Sequence, residues 1–213
     1  MTALFRGEFE AHITVRAEGR AGVAALDEYA AARGLKFTHI VLARGRVCDQ
    51  PMLTVQRAGT IAQVRDSVDD LVEEVRAAGF AVVRVKVEAT PWAEGVPVRD
   101  HEAVALGPGY YFEHHLKLLL ESPSEELVAV AIAHAAHLSD NARRVRPDGR
   151  GERFVTQRCR LVGDLTAQAR LDALVAELKA APYEVLSIER EFVVYDSDES
   201  IDAGWISAEG ETS

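Results

Sequence analysis

Two short segments of this chain place a histidine two residues after a glutamate. They are Phe9-Glu10-Ala11-His12-Ile13-Thr14-Val15 and Phe112-Glu113-His114-His115-Leu116-Lys117-Leu118. In an extended strand, residues i and i+2 share a face. Glu10, His12 and Thr14 therefore project together, as do Glu113, His115 and Lys117. An imidazole beside a carboxylate suits proton transfer near neutral pH. The same pair also suits metal ligation.

Sorting the neighbouring apolar-rich segments by parity extends the pattern. Val83, Val85 and Val87 fall on the apolar face with Phe9, Ile13 and Val15, leaving Arg84, Lys86 and Glu88 opposite. The second half offers Ser187, Glu189 and Glu191 by the same parity, with Thr156 and Arg158 as companions. Two readings of this polar face stand open. One is a solvated sheet face, common in antiparallel sheets. The other is that the two polar faces meet across a shared cleft and line a site.

The elements that would position these residues repeat. An offset of 103 carries Phe9-Glu10-x-His12 onto Phe112-Glu113-x-His115, and also Leu71 onto Leu174, Val72 onto Val175, Phe80 onto Tyr183 and Glu88 onto Glu191. Such self-similarity marks duplication. The first half reads as a strand, a helix over Gly22–Arg33 closed by Gly34, strands at Lys36–Leu42 and Met52–Gln56, a second helix and a strand at Phe80–Glu88. Thr60 with Gln63 makes a capping box for that second helix. Its Ile61, Val64, Val68, Leu71, Val72 and Val75 form one apolar stripe.

The second half reads alike: a strand at Tyr111–Leu119, a capping box at Ser122-Pro123-Ser124-Glu125, and a helix running to about Leu138. A polar loop, Ser139–Gly151, then precedes a strand at Arg153–Leu161. A helix capped by Asp164 turns Leu171, Leu174, Val175 and Leu178 inward, Pro182 stops it, and a strand at Tyr183–Tyr195 closes the half. The expected fold is α+β, two tandem ferredoxin-like βαββαβ repeats whose polar sheet faces line a shared cleft. The expected division is residues 1–90 for the first repeat, 91–109 for a linker, 110–195 for the second repeat and 196–213 for an acidic tail. Ile201 and Trp205 are the tail residues able to dock on the body.

Three resemblances bear on the chemistry. His12-Ile13-Thr14-Val15 resembles the His-x-Thr strand of the two-histidine (2H) phosphoesterase family, which is built of two similar α+β lobes. That resemblance implies His12 and His115 as an acid–base pair on a phosphate ester, although Lys117 stands where a second hydroxyl is expected. The set Glu10, His12, Glu113 and His115 is similar to the ligand sets of vicinal oxygen chelate enzymes, and implies a divalent metal. Glu8-Phe9-Glu10-Ala11-His12 looks like the Glu-x-Glu-x-Lys opening strand of the CYTH (triphosphate tunnel) family, with histidine in place of the lysine. That likeness implies triphosphate binding in a barrel. The strings Gln50–Thr54, Tyr111–His115, Arg153–Arg158 and Val194–Asp198 resemble a widespread group of uncharacterised bacterial proteins, which covers the whole chain and implies little about activity.

Composition narrows the classes. The formal net charge of −10 argues against duplex nucleic acid as a partner. The segment from Asp196 to Ser213 holds six acids and no Lys or Arg, so the remainder lies closer to neutrality and still allows a basic pocket. No apolar run approaches the length of a membrane span, and the first residues carry no apolar leader. Cys48 and Cys159 have no partner motif, so a reducing cytoplasm is expected. His134 and His137 at i, i+3 and His39 within a strand read as structural, and Arg143, Arg144 and Arg146 read as a solvated turn or as the basic mouth of a cleft.

Together the residues predict a cytoplasmic protein that binds an anionic, phosphorylated small molecule, with hydrolase-like chemistry as one reading and a homodimer as another open point. His12 and His115, oriented by Glu10 and Glu113, are the expected catalytic groups. Thr14, Lys117, Arg84, Lys86, Thr156 and Arg158 are the expected substrate-binding groups. A divalent metal on Glu10, His12, Glu113 and His115 is the rival enzyme reading. A ligand-binding or assembly module is the rival without catalysis.

Overall fold

Strict alternation of apolar and polar residues needs two different environments, one for each face of a sheet. In the computed structural model of the chain, both are supplied by curling the sheet. Residues 5–42, 45–120, 124–145, 150–181 and 183–204 are described, with only the backbone described over 140–145. The elements are β1 (Arg6–Arg16), α1 (Gly19–Arg33), β2 (Lys36–Leu42), β3 (Asp49–Thr60), α2 (Ile61–Ala77) and β4 (Ala81–Ala89). There follow α3 (Asp100–Leu106), β5 (Tyr111–Leu120), α4 (Glu125–Ala133), β6 (Ala136–Val145), β7 (Gly151–Arg160), α5 (Asp164–Ala180) and β8 (Glu184–Asp196). A 3₁₀ turn at Glu199–Asp202 ends the described chain.

The eight strands close into one antiparallel barrel in the order β1-β3-β2-β6-β7-β5-β8-β4. Each half contributes a four-strand arc with the same internal order, β4-β1-β3-β2 and β8-β5-β7-β6. The arcs join where Val41 pairs with Asp140 and where Val87 pairs with Tyr195.

Closure turns the polar face inward and the apolar face out, under the helices. On β1, Phe9, Ala11, Ile13 and Val15 are buried in a core shared with the α2 stripe Ile61, Val64, Val68, Leu71, Val72 and Val75. A second core joins Leu116 and Leu118 of β5 to Leu171, Leu174 and Leu178 of α5 and Leu127 of α4. Thr60 caps α2 in the expected box with Gln63, and Gly34 closes α1 at φ 65°, where a Cβ would be strained.

Three local expectations are corrected. The helix expected to reach Leu138 stops at Ala133, because Ala135 takes a positive φ and the chain turns into β6. The stretch from Ser139 expected as a loop runs as strand to Val145, since pairing with β2 and β7 satisfies its backbone whatever its side chains. The cap of α4 is Ser124, whose hydroxyl accepts from the Leu127 N–H, while Ser122 and Pro123 lie outside the described residues. Pro182 and Trp205 also lie outside them, as do Arg146 and the side chains of Arg143 and Arg144.

Candidate functional site

The interior of the barrel is a cavity of about 470 Å³. Glu10, His12, Thr14, Arg84, Lys86, His115, Lys117, Thr156, Arg158, Glu189 and Glu191 all line it, and Glu113 joins them through its bond to Lys86. An eight-stranded barrel has an interior either filled by side chains or wide enough for one small ligand, and this volume is of the second kind. The residues expected at the site are thus drawn together by one geometric event, closure of the sheet.

The two histidines are held in matching ways. His12 Nδ1 lies 2.9 Å from the Thr54 hydroxyl, and its Nε2 lies 2.8 Å from Glu88 Oε2. His115 Nδ1 lies 3.1 Å from the Thr156 hydroxyl, and its Nε2 lies 3.2 Å from Glu191 Oε2. Cross-strand neighbours cause this: His12 faces Thr54 across β1 and β3, and His115 faces Thr156 across β5 and β7. The pairs on the first strands, Glu10–His12 and Glu113–His115, do not converge into one four-ligand set. Among the described residues, Glu10 and His12 gather with Glu191, whereas Glu113 and His115 gather with Glu88. Each cluster therefore takes one glutamate from the other half.

The cations are balanced by carboxylates of the chain itself. Lys86 Nζ lies 2.7 Å from both Glu88 and Glu113. Arg158 donates to Glu113 at 2.7 Å and to Asp202 at 2.6 Å. Arg84 donates to Asp196 through a bidentate pair and to Asp202 at 3.0 Å. Lys117 has a longer pair, 3.6 Å to Glu152. Burial opposes ionisation of Lys86, Arg84, Arg158, Glu88, Glu113 and Asp202, and the pairing overrides it. Burial would raise the Glu113 carboxyl, but Arg158 and Lys86 hold it well below the usual range. Glu88 is held low against burial by Lys86 and His12. His115, which burial alone would lower, is pushed up to about 9 by Glu191 and Glu113. Glu191 departs from this: burial and the nearby Glu88 charge raise its carboxyl.

Asp202 is the site residue that strand parity could not find. It sits in the segment expected as an acidic tail, yet its side chain is 4% exposed and accepts from Gln50, Arg84 and Arg158. The 3₁₀ turn is tied down by Ile201, which is buried, and by Arg46, which donates its backbone N–H to Ala203 and its side chain to Ser200. Asp196, expected at the start of the tail, is the last residue of β8, and Tyr111 donates to it at 3.2 Å. An apolar residue at Ile201 was the one available signal. Thr54 lies in the strand expected at Met52–Gln56, whereas Gln50 precedes that expected strand and falls within β3, which begins at Asp49.

The remaining histidines divide. His134 is the C-cap of α4 and pairs with Glu177 at 2.5 Å, whereas His137 lies on β6, so the two do not share a helix face. His39 pairs with Asp49. Cys48 is exposed and Cys159 buried, and the two form no disulfide. No described helix is long and apolar enough to cross a membrane.

No protein-family model and no curated protein matches the chain. Among solved structures, it is similar to the acetolactate synthase small subunit from Thermotoga maritima, with 13% identity over 89% of this chain and 95% of that one, at a TM-score of 0.30. It is also similar to the ligand-free regulatory subunit of aspartate kinase from Thermus thermophilus, with 14% identity over 82% and 95% of the two chains, at a TM-score of 0.31. Likeness at TM-scores this low transfers no residue role to this chain.

Proposed function

We propose that the chain is a small-molecule-binding protein whose barrel interior takes one polar ligand bearing an anionic group, without catalysing its conversion. The observation that carries this reading is the cavity itself, enclosed by strands from both halves and lined by charged groups beside Phe37, Ile40, Met52 and Phe154. Such a mixture of apolar wall and a few convergent polar groups is what small ligands select. Lys117, whose internal pair is the long one, is the lumen cation best placed to engage the anion, and Thr14 adds a hydroxyl to the same lining. Arg84, Lys86 and Arg158 are already neutralised, and serve to hold the wall.

Acid–base catalysis by His12 and His115 fits this geometry less well. All four ring nitrogens are engaged by Thr54, Glu88, Thr156 and Glu191. A histidine titrating near 9 also stays protonated at neutral pH and cannot accept a proton there. The identical strand order of the two arcs and the paired Thr–His–Glu contacts favour two ferredoxin-like repeats, divided at the linker, as the origin of the barrel. The shared elements include the offset-related residues Glu88 and Glu191.

The test is a thermal-shift screen against carboxylate- and phosphate-bearing small molecules, repeated on Thr38→Trp, which fills the cavity from β2. Stabilisation of the native protein that is lost in the filled variant is the expected result. Equal stabilisation of both, or of neither, overturns the reading.

A further inference from the structure

The two Glu–His–Glu clusters correspond residue by residue at the offset of 103, and two cations distinguish their surroundings: Lys86 stands where the other half has Glu189, and Arg158 faces Glu113 where Gln56 faces Glu10. His12 pairs across the sheet with Lys86 of β4, and His115 pairs across the sheet with Glu189 of β8. At the Glu88–Glu113–His115 cluster the chain thus supplies its own cation: Lys86 Nζ sits 2.7 Å from each carboxylate. At the Glu10–His12–Glu191 cluster the equivalent position is a further acid. The nearest described ammonium there is Lys36, 3.4 Å from Glu10 with a side chain 64% exposed, an ion pair that water screens.

We propose that Glu10, His12 and Glu191 form a binding site for one divalent transition-metal cation of the Mn²⁺ or Fe²⁺ kind. Their donor atoms already lie within 4.8 Å of one another. Small side-chain rotations bring such a set to the roughly 2.1 Å of metal–donor bonds. Two carboxylates and one imidazole make an oxygen-rich set with one nitrogen, which suits these ions. Thr54 supplies the outer support by holding Nδ1, and a metal at Nε2 takes the place of the proton that this nitrogen shares with Glu88. Glu88, 2.8 Å from that nitrogen and anchored by Lys86, adds negative charge beside the site. Entry is open, because Glu10, Glu189 and Glu191 also line a second pocket shared with the exposed Trp92.

The site goes beyond the small-molecule reading and is assayed with the metal alone. Mn²⁺ is titrated into chelator-treated protein and followed by electron paramagnetic resonance. One Mn²⁺ per chain is expected, with affinity about tenfold or more weaker in Glu10→Gln and in Glu191→Gln. No uptake overturns the proposal, as does uptake unchanged in both variants. Should either variant fail to fold, the native protein decides by NMR. Mn²⁺ that broadens the His12 ring signals before those of His39 and His134 supports the site, and broadening of His39 or His134 with His12 spared overturns it.

Discussion

Two corners of one barrel carry the same glutamate–histidine–threonine scaffold and differ in what neutralises it. Around Glu113 and His115, the chain provides Lys86 and Arg158, and both carboxylates of the cluster are held low. Around Glu10 and His12, Glu189 replaces the lysine, and Glu191 is raised by burial and by the Glu88 charge. A buried carboxylate with its cation built in is a structural brace. The same scaffold with the cation removed is a place for something to bind. Divergence at two positions, Lys86 against Glu189 and Arg158 against Gln56, separates these uses.

That comparison breaks most sharply at Lys86. Lys86→Met leaves Glu88 and Glu113 buried without their shared ammonium, and a loss of about 3–5 kcal/mol is expected from urea unfolding. The matching change, Glu189→Met on the exposed position, should leave the unfolding midpoint nearly unmoved. Equal effects would end the claim that the two corners are differently balanced. Glu189→Lys sharpens it from the other side, because it should abolish Mn²⁺ uptake while raising the melting temperature.

Next in size is Asp202, whose removal leaves Arg84 and Arg158 each short of one carboxylate. Asp202→Ala should cost about 1–3 kcal/mol and expose the segment after Asp196 to limited proteolysis. A tail no more cleavable than before would show that Ile201 and Arg46 hold it unaided.

The pH profile separates the groups by sign. Glu113, Glu88 and Asp202 have lowered values in the folded state, so their contribution is present above the ordinary carboxylate range and fades as pH falls below it. His115 is raised to about 9, so its contribution is complete below about 6.5 and is lost as pH climbs through 9. The melting temperature should therefore decline between pH 7 and pH 10, and His115→Gln should flatten that decline. A slope unchanged in this variant would place the titrating group elsewhere. The smallest effect is expected at the outer hydroxyls: Thr54→Val and Thr156→Val should each cost about 1 kcal/mol, and equal costs would show that the two histidines are anchored alike.

Much of this was legible beforehand, and for a definite reason. Alternation with period two is a property of the chain itself, so Glu10, His12, Glu113, His115, Arg84, Lys86 and Arg158 were placed on one face without coordinates. Glu88 and Glu191 lay on that same face by parity, but nothing local marked them as histidine partners. Those contacts are made across β1–β4 and β5–β8, between residues dozens of positions apart. The end of α4 was misread because Ala-rich sequence favours helix, and only strand pairing against β2 and β7 draws residues from Ala136 into the sheet. Asp202 itself had no legible signal beyond the apolar Ile201 beside it, since a four-residue turn has no periodicity to read.

By itself, then, the sequence determined which side chains share a face, where the helices lay their apolar stripes, and that two halves correspond at a constant offset. The tertiary structure decided that the polar face is concave and enclosed. It also brought the two histidine–glutamate pairs side by side, so that Glu191 comes within 4.8 Å of Glu10 and His12 and Glu88 within 4.8 Å of Glu113 and His115, and spent most of the lumen cations on internal carboxylates. Sidedness follows from backbone geometry within a strand. Closure, and with it the balance of buried charge, depends on which distant strands become neighbours.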